Sequence, residues 1–506
     1  MDGTDIVVAR LGYIPFRNIL KAIRDIQDQL NEGKRFDFPY LIRGDISDGH
    51  RLGIKPITFL RQVASLCAFP DISDHMPKDV VERMREILDN CPGGSIGSAV
   101  FQGHPIIRQH IADYISRRDL VEARTENVWI TSGVLHGFSI VLQVLKRRFN
   151  GKPPGVITCV PQYMGYTTLL QDQGYCERTS TPSIFIVGTR VVRWIGDIRN
   201  MRSLIPRGIT SLATQACYYL DEDHGWAHNT ADMQKALDAA RSRCVPRCFL
   251  LVNPANPPST VLSEQQLQDI IRFAYRNQLI ILADEIFEHN VYTDKRPFHS
   301  VRKIMNSMGT PYSRTQLVAF NSISKGFAAE PGLQAGYFEA VNLDSIDRAN
   351  LQHAMMESLP PMMCQVALDC LVKPPSPGDA SYEMYSKEKA FIIDSLAERA
   401  RMAEERLNAI EGIHCSPVQG SMAAYPRMTI PAKAIEEAQR QKKEADVFYA
   451  EELLRRKGVC VTPSSAFGRL PGKFHMRITI LPPKDRLMEM FDRLETFQKE
   501  LMTEYQ

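Results

Sequence analysis

Short apolar runs set the rhythm of the middle of this chain: Val128 to Thr131, Val156 to Val160, Cys248 to Val252, Leu279 to Ala283 and Leu317 to Phe320. Nearly continuous apolar runs of this length, bounded by polar turns, predict strands buried on both faces. Helical spacing fills several of the gaps. In Ser263 to Asn277, Leu267, Ile270, Ile271 and Ala274 make one apolar face, and Ser263 with Gln266 forms a capping-box pattern. Strands alternating with helices predict an α/β fold whose mostly parallel sheet is sandwiched by helices.

The flanks read differently. Ile19, Ile23, Ile26 and Leu30 recur at helical spacing and stop at Asn31-Glu32-Gly33; helix-like runs follow from Pro56 to Cys67 and from Pro77 to Asn90, then a glycine-rich break at Gly93 to Gly97. Beyond Ser358, Leu359-Pro360-Pro361 and the proline-containing stretch Lys373 to Asp379 mark a change of domain. The C-terminal part predicts a smaller α+β unit, with a helix from Asp446 to Lys457 stopped by Gly458 and strands near Val459 to Thr462 and Phe474 to Ile480. The stretch of about 175–216 breaks the rhythm and reads as an atypical insertion.

Composition narrows the function. The 506 residues are 44% hydrophobic and 24% charged, and the 61 basic against 58 acidic residues leave a net charge of +3. Neither a nucleic-acid groove nor a membrane surface is expected from so even a balance. The 11 cysteines are scattered, mostly inside apolar runs, which predicts reduced thiols in a cytoplasmic protein. Cys244 and Cys248 lack a second pair of ligands, so no metal site is expected. No run approaches the length of a membrane span, and Met1 to Ile14 does not read as a targeting signal.

Ligands of an open parallel sheet bind beyond the carboxyl ends of its strands, so the residues just after each run carry the candidate chemistry. Ser132-Gly133-Val134 precedes a helix pattern and offers free backbone N–H groups to a phosphate. Tyr163 offers an aromatic face, and Asn253-Pro254-Ala255-Asn256-Pro257 is a stiff turn that would fix an amide. Asp284 ends an apolar strand, where a carboxylate needs a cation such as a protonated pyridine nitrogen. The turn Asn321 to Phe327 presents the amine of Lys325, able to form a Schiff base with an aldehyde cofactor, and hydroxyls at Ser322 and Ser324 that can turn toward a phosphate. Near the C-terminus Phe474, Met476, Ile478 and Ile480 share one strand face and Arg477 lies on the other.

Longer matches give this set a family. Lys55 to Val63, Ile107 to Asp119, Tyr218 to Glu222, Ala283-Asp284-Glu285, Asn290-Val291-Tyr292, Pro417 to Gly420 and Arg477 to Pro483 resemble the fold-type-I aminotransferases, and more narrowly the eukaryotic alanine aminotransferases. The resemblance implies pyridoxal phosphate on Lys325, Asp284 against its pyridine nitrogen, Tyr163 stacked on the ring and Asn256 facing the ring oxygen. It implies Ser132, Gly133, Val134 and Ser322 around the phosphate, and Arg477, Gly44 and Asn256 around the substrate, with Arg477 clamping its α-carboxylate. It further implies ping-pong transfer of an amino group between an alanine- or glutamate-like amino acid and a 2-oxo acid, by a homodimer. The corresponding division is a large cofactor-binding domain over 96–365 and a small domain shared by 1–95 and 366–506.

The departures from the family fall on anchoring positions. Phe287 stands where the family has tyrosine, and Gln334 where it has the arginine that pairs with the phosphate. Gly133-Val134-Leu135 lacks a hydroxyl found in relatives, and Gly97 to Phe101 is shortened and lacks the tyrosine that reaches the partner subunit's cofactor. Asn256-Pro257-Pro258-Ser259 replaces Asn-Pro-Thr-Gly, and His136 is a candidate substitute at the phosphate. These losses keep two alternatives open: a lyase on the same scaffold, and a cofactor-impaired, non-catalytic paralogue.

Overall fold

The computed structural model describes residues 14–146, 152–173 and 214–506. The insertion expected at about 175–216 lies outside these residues except for its last three, which open a strand. The strands are β1 (Ile42–Arg43), β2 (Val128–Thr131), β3 (Pro154–Val160), β4 (Thr214–Tyr219), β5 (Val245–Val252), β6 (Ile280–Asp284), β7 (Leu317–Ser322) and β8 (Gly336–Val341). After them come β9 (Ile413–His414), β10 (Ala423–Ala424), β11 (Arg427–Met428), β12 (Val459–Cys460), β13 (Thr462–Pro463) and β14 (Phe474–Thr479).

The central sheet has seven strands in the order β2-β8-β7-β6-β5-β3-β4. β8 alone runs against the rest, antiparallel to both β2 and β7, so the expected mostly parallel α/β sheet is what forms. All five predicted runs became strands. β8 was not predicted, because Glu339 interrupts its apolar pattern; the carboxylate is buried and offset by Arg302 Nε at 3.0 Å.

Helices cover both faces, as the alternating pattern requires. The helix Glu264–Arg276 begins with the predicted capping box, Ser263 accepting from Gln266 N–H and Gln266 accepting from Ser263 N–H. Its Leu267, Ile270, Ile271 and Ala274 pack on Phe249, Leu251 and Ile281 of the sheet. On the opposite face Phe138, from the helix Val134–Val144, stacks on Phe320 with ring centroids 3.9 Å apart.

Beside this layer, β1 pairs in parallel with β12, and β14 lies between β10 and β11 with β13 also bonded to it. Met476 and Ile478 are fully buried in the core on one face of β14, which leaves Arg477 on the other. Gly44, just after β1, is pressed into this unit: a Cβ there would fall 2.7 Å from the carbonyl oxygen of Cys460 and 2.9 Å from Met490 Sδ. Among the described residues no helix is long and apolar enough to cross a membrane.

Candidate active site

The carboxyl ends of β2, β6 and β7 and the Arg477 face of β14 bring the predicted residues into one region. Lys325 sits in a turn pinned on both sides. Ser324 N–H donates to Ser322 Oγ at 3.0 Å, Ile323 N–H to Ala335 O at 3.1 Å, and Gly326 N–H to Asn290 Oδ1 at 2.9 Å. Its Nζ donates to the carbonyl of Ser47 at 2.7 Å. Burial, with Arg477 nearby, pushes the amine down to about 8, while Asp48 and Asp284 oppose the shift.

Asp284 closes β6 and is buried. Tyr166 Oη donates to its Oδ2 at 2.5 Å and Ile286 N–H to its Oδ1 at 3.1 Å. Burial pushes the carboxyl up to about 6; the Tyr166 bond, the Ile286 bond and the charge of Lys325 each pull the other way. Tyr166 was not singled out from the sequence. The signal was there in its spacing, since Tyr163 caps the helix Met164–Asp172 and Tyr166 follows three residues later on the same side. The two rings meet edge-on with centroids 5.6 Å apart, and Tyr166 also rests on Phe138 at 4.6 Å.

Arg477 reaches toward the same region from β14. Its guanidinium donates to the carbonyl of Asp45 at 3.2 Å and lies 3.5 Å from Asn256 Oδ1, with Phe467 beneath it at 5.0 Å. Gly44 is tied to the same strand by its carbonyl, which accepts from Thr479 N–H at 2.8 Å. The backbone from Gly44 to Ser47 therefore spans from the arginine to the lysine, through carbonyl oxygens that carried no sequence signal.

The anion end is built from strands lying abreast. Thr131 of β2, Gly336 of β8 and Ser322 of β7 are register partners. Gly336 must lack a side chain there, because a Cβ would fall 3.0 Å from Gly133 Cα and from the Asn321 carbonyl. Gly133 (φ 90°, ψ 167°) turns the chain into the helix Val134–Val144, whose first N–H groups open toward Ser132. His136 Nδ1 accepts from Ser132 N–H at 3.2 Å and burial lowers its pKa, so the ring is neutral. Gln334 stands exposed in a left-handed conformation, and Phe287 is buried among apolar side chains.

An amine of lowered pKa, a buried carboxylate, an aromatic face and a helix N-terminus suit an aldehyde that carries a basic aromatic nitrogen and a phosphate, so pyridoxal phosphate fits these residues. The arrangement is that of the fold-type-I aminotransferases. An alanine aminotransferase from Pyrococcus furiosus superposes with a TM-score of 0.69 at 18% identity, covering 96% of this chain and 96% of that one. Alanine aminotransferase 2 of Xenopus laevis is 36% identical over 511 aligned positions, 100% of this chain and 88% of its own length. Alanine aminotransferase 1 of Homo sapiens is 35% identical, covering 100% and 95%. The profile of aminotransferase class I and II matches residues 207–494. The chain belongs to the class I and II aminotransferase family, which is dependent on pyridoxal phosphate.

Proposed function

We propose that this aminotransferase moves the amino group of alanine, glutamate or a closely similar L-amino acid to a 2-oxo acid in two half-reactions. The observation that carries the reading is the convergence of Lys325, Asp284 and Arg477; the N-terminus of the helix Val134–Val144, suited to an anion, supports it. Bound pyridoxal phosphate supplies the electron sink that makes the substrate Cα–H acidic.

Each residue then has a task its environment suits. Arg477 exchanges the Asp45 carbonyl for the substrate α-carboxylate, a charge-assisted pair in which Asn256 helps orient the group. Lys325, released from the Ser47 carbonyl, would carry the proton from the substrate Cα to the carbon of the cofactor aldehyde; an amine near 8 is neutral often enough at physiological pH to accept one. Asp284 would hold a proton on the pyridine nitrogen, and Tyr166 and Ile286 hold Asp284 in place. Tyr163 would cover the ring, while Ser132, Gly133, Val134 and Ser322 would receive the phosphate.

We further propose that the protein is a cytoplasmic homodimer. Support for pairing comes from Phe101, Met356 and Leu359, which are more than half to half exposed and lie together around the Gln102 N–H to Ser358 carbonyl bond of 3.3 Å. The proposed small domain of 1–95 with 366–506 is supported by the β1–β12 pairing.

Absorbance of the cofactor-loaded protein tests the reaction. Alanine or glutamate alone should convert the band of the lysine-bound form to that of the aminated cofactor, and a 2-oxo acid should restore it. A loaded protein whose spectrum ignores both amino acids would refute the reading.

A further inference from the structure

Behind the central sheet, on the side away from Asp284, lies a small cavity of mixed apolar and polar wall that the amino-transfer chemistry does not use. Ala319 and Asn321 alternate along β7 with Phe320 and Ser322, and so face this rear side. The cavity is lined by Ile115 and Arg118 from the helix Pro105–Asp119, by Glu285, and by Asn321, Tyr337 and Glu339. Its volume of about 10 Å³ matches one water molecule.

Polar atoms at this wall lack a protein partner: Asn321 Nδ2, Tyr337 Oη and Glu339 Oε1. The residues that carry them are 4%, 3% and 2% exposed. Leaving buried polar atoms unbonded costs about 1–3 kcal/mol each, and buried waters typically make about three hydrogen bonds. The surrounding charges also leave a need for protons. Arg118 pairs with Asp119 at 2.7 Å and Glu288 at 2.6 Å and lies 3.5 Å from Glu285, while Arg302 lies 3.0 Å from Glu339 and 3.8 Å from Asp119. Four carboxyls thus face two guanidinium groups, with Tyr114 and His289 at the edge through Glu288. Burial raises the Glu285 carboxyl to about 8 and the Glu339 carboxyl to about 7, while Arg118 and Arg302 respectively pull the other way.

Asn321 joins this cavity to the active site. Its Oδ1 accepts from Ser322 N–H at 2.7 Å, which leaves its Nδ2 to point at the cavity, and Ser322 in turn caps the lysine turn through its bond from Ser324 N–H. We propose that the cavity holds one permanently bound water, bonded to Asn321, Tyr337 and Glu339, which fixes the Asn321 amide and through it the strand end that leads to Lys325. This stands apart from the assignment of substrate and cofactor.

A crystal structure of the full chain, at a resolution that shows ordered water, tests the site directly. A single peak within about 2.7–3.2 Å of all three atoms is expected, unchanged after a rubidium soak. An empty cavity, a direct bond between Tyr337 and Glu339, or a peak that rubidium replaces would overturn it. The link to the lysine turn is read by hydrogen exchange in Tyr337→Phe, which keeps the ring and removes one partner. The peptide covering residues 317–327 should exchange several-fold faster while peptides of the helix Glu264–Arg276 do not change. Equal exchange in both variants would show that the water does not steady the turn, and a Tyr337→Phe chain that fails to fold leaves the decision to the crystal.

Discussion

Tyr166 and Asp284 form a buried pair in which the phenol donates to the carboxylate at 2.5 Å. A short bond to an anion strengthens the charged form relative to the acid, and here it opposes a desolvation that would otherwise keep Asp284 protonated. The phenol thus helps keep ionised the group that faces the pyridine nitrogen.

Tyr166→Phe should therefore raise the Asp284 pKa above its present value of about 6. Hydrogen bonds to charged groups contribute about 1.5–3 kcal/mol, so the acid limb of kcat/KM should move up by about 1–2 pH units. At neutral pH the variant should lose about 2- to 10-fold in rate and recover much of it in alkaline buffer. A plain packing defect would lower the whole profile without shifting it, so the pH dependence separates the two explanations.

Lys325 carries a stability cost of the opposite kind. Its folded pKa of about 8 lies below the ordinary 10.5, so the unfolded chain binds the proton more tightly between those values. The deficit is absent above 10.5, grows as pH falls toward 8, and is complete below 8, where it amounts to about 3 kcal/mol. Cofactor-free Lys325→Met should be the more stable protein at pH 7, and its advantage should shrink steadily from pH 8 to 10.5. Denaturant unfolding of both proteins across that range checks it; a pH-independent difference would show that the amine is not held out of water as described.

The sequence shows most plainly what local pattern dictates. Ser263 and Gln266 announce a capping box that forms, and the Ile280 to Asp284 strand is apolar on both faces because helices cover both. Lys325, Asp284 and Asn256 stood out as candidates because several polar residues recur together at the ends of apolar strands, each of which alone has an ordinary structural reading. Other features depend on partners far along the chain. Glu339 disguised β8 because its neutralising Arg302 comes from another element, and Tyr166 looked like one more aromatic in a helix until Asp284 was placed beside it. The carbonyls of Asp45 and Ser47 belong to the backbone, which every residue has, so no residue type could reveal them.

In the proposed site, Gln334 would leave the phosphate without the fork that an arginine provides. It already occupies a left-handed, exposed position at φ 45°, so a longer polar side chain meets no new packing obstacle there. Gln334→Arg should lower the Kd for pyridoxal phosphate by about 10-fold or more, the effect of one charge-assisted bond, and leave the Kd for unphosphorylated pyridoxal nearly unchanged. Equilibrium dialysis with both compounds makes the comparison; equal tightening of the two would show that the gain does not come from the phosphate.

Arg477 supplies two parallel donors on a rigid plane, steadied by Phe467 beneath it at 5.0 Å and by Asn256 at its edge. Arg477→Lys keeps the charge and loses both the fork and much of the stacking. In the proposed role Arg477 would hold the α-carboxylate in the ground state and in the transition state alike, so the loss should appear chiefly in KM. An increase of about 10- to 100-fold in KM for alanine is expected, with a smaller fall in kcat from the looser placement of Cα beside Lys325. An amine substrate that has no carboxylate should react equally slowly with both proteins. If the variant instead lost kcat alone at unchanged KM, Arg477 would be acting on the lysine, whose pKa it already depresses, more than on the substrate.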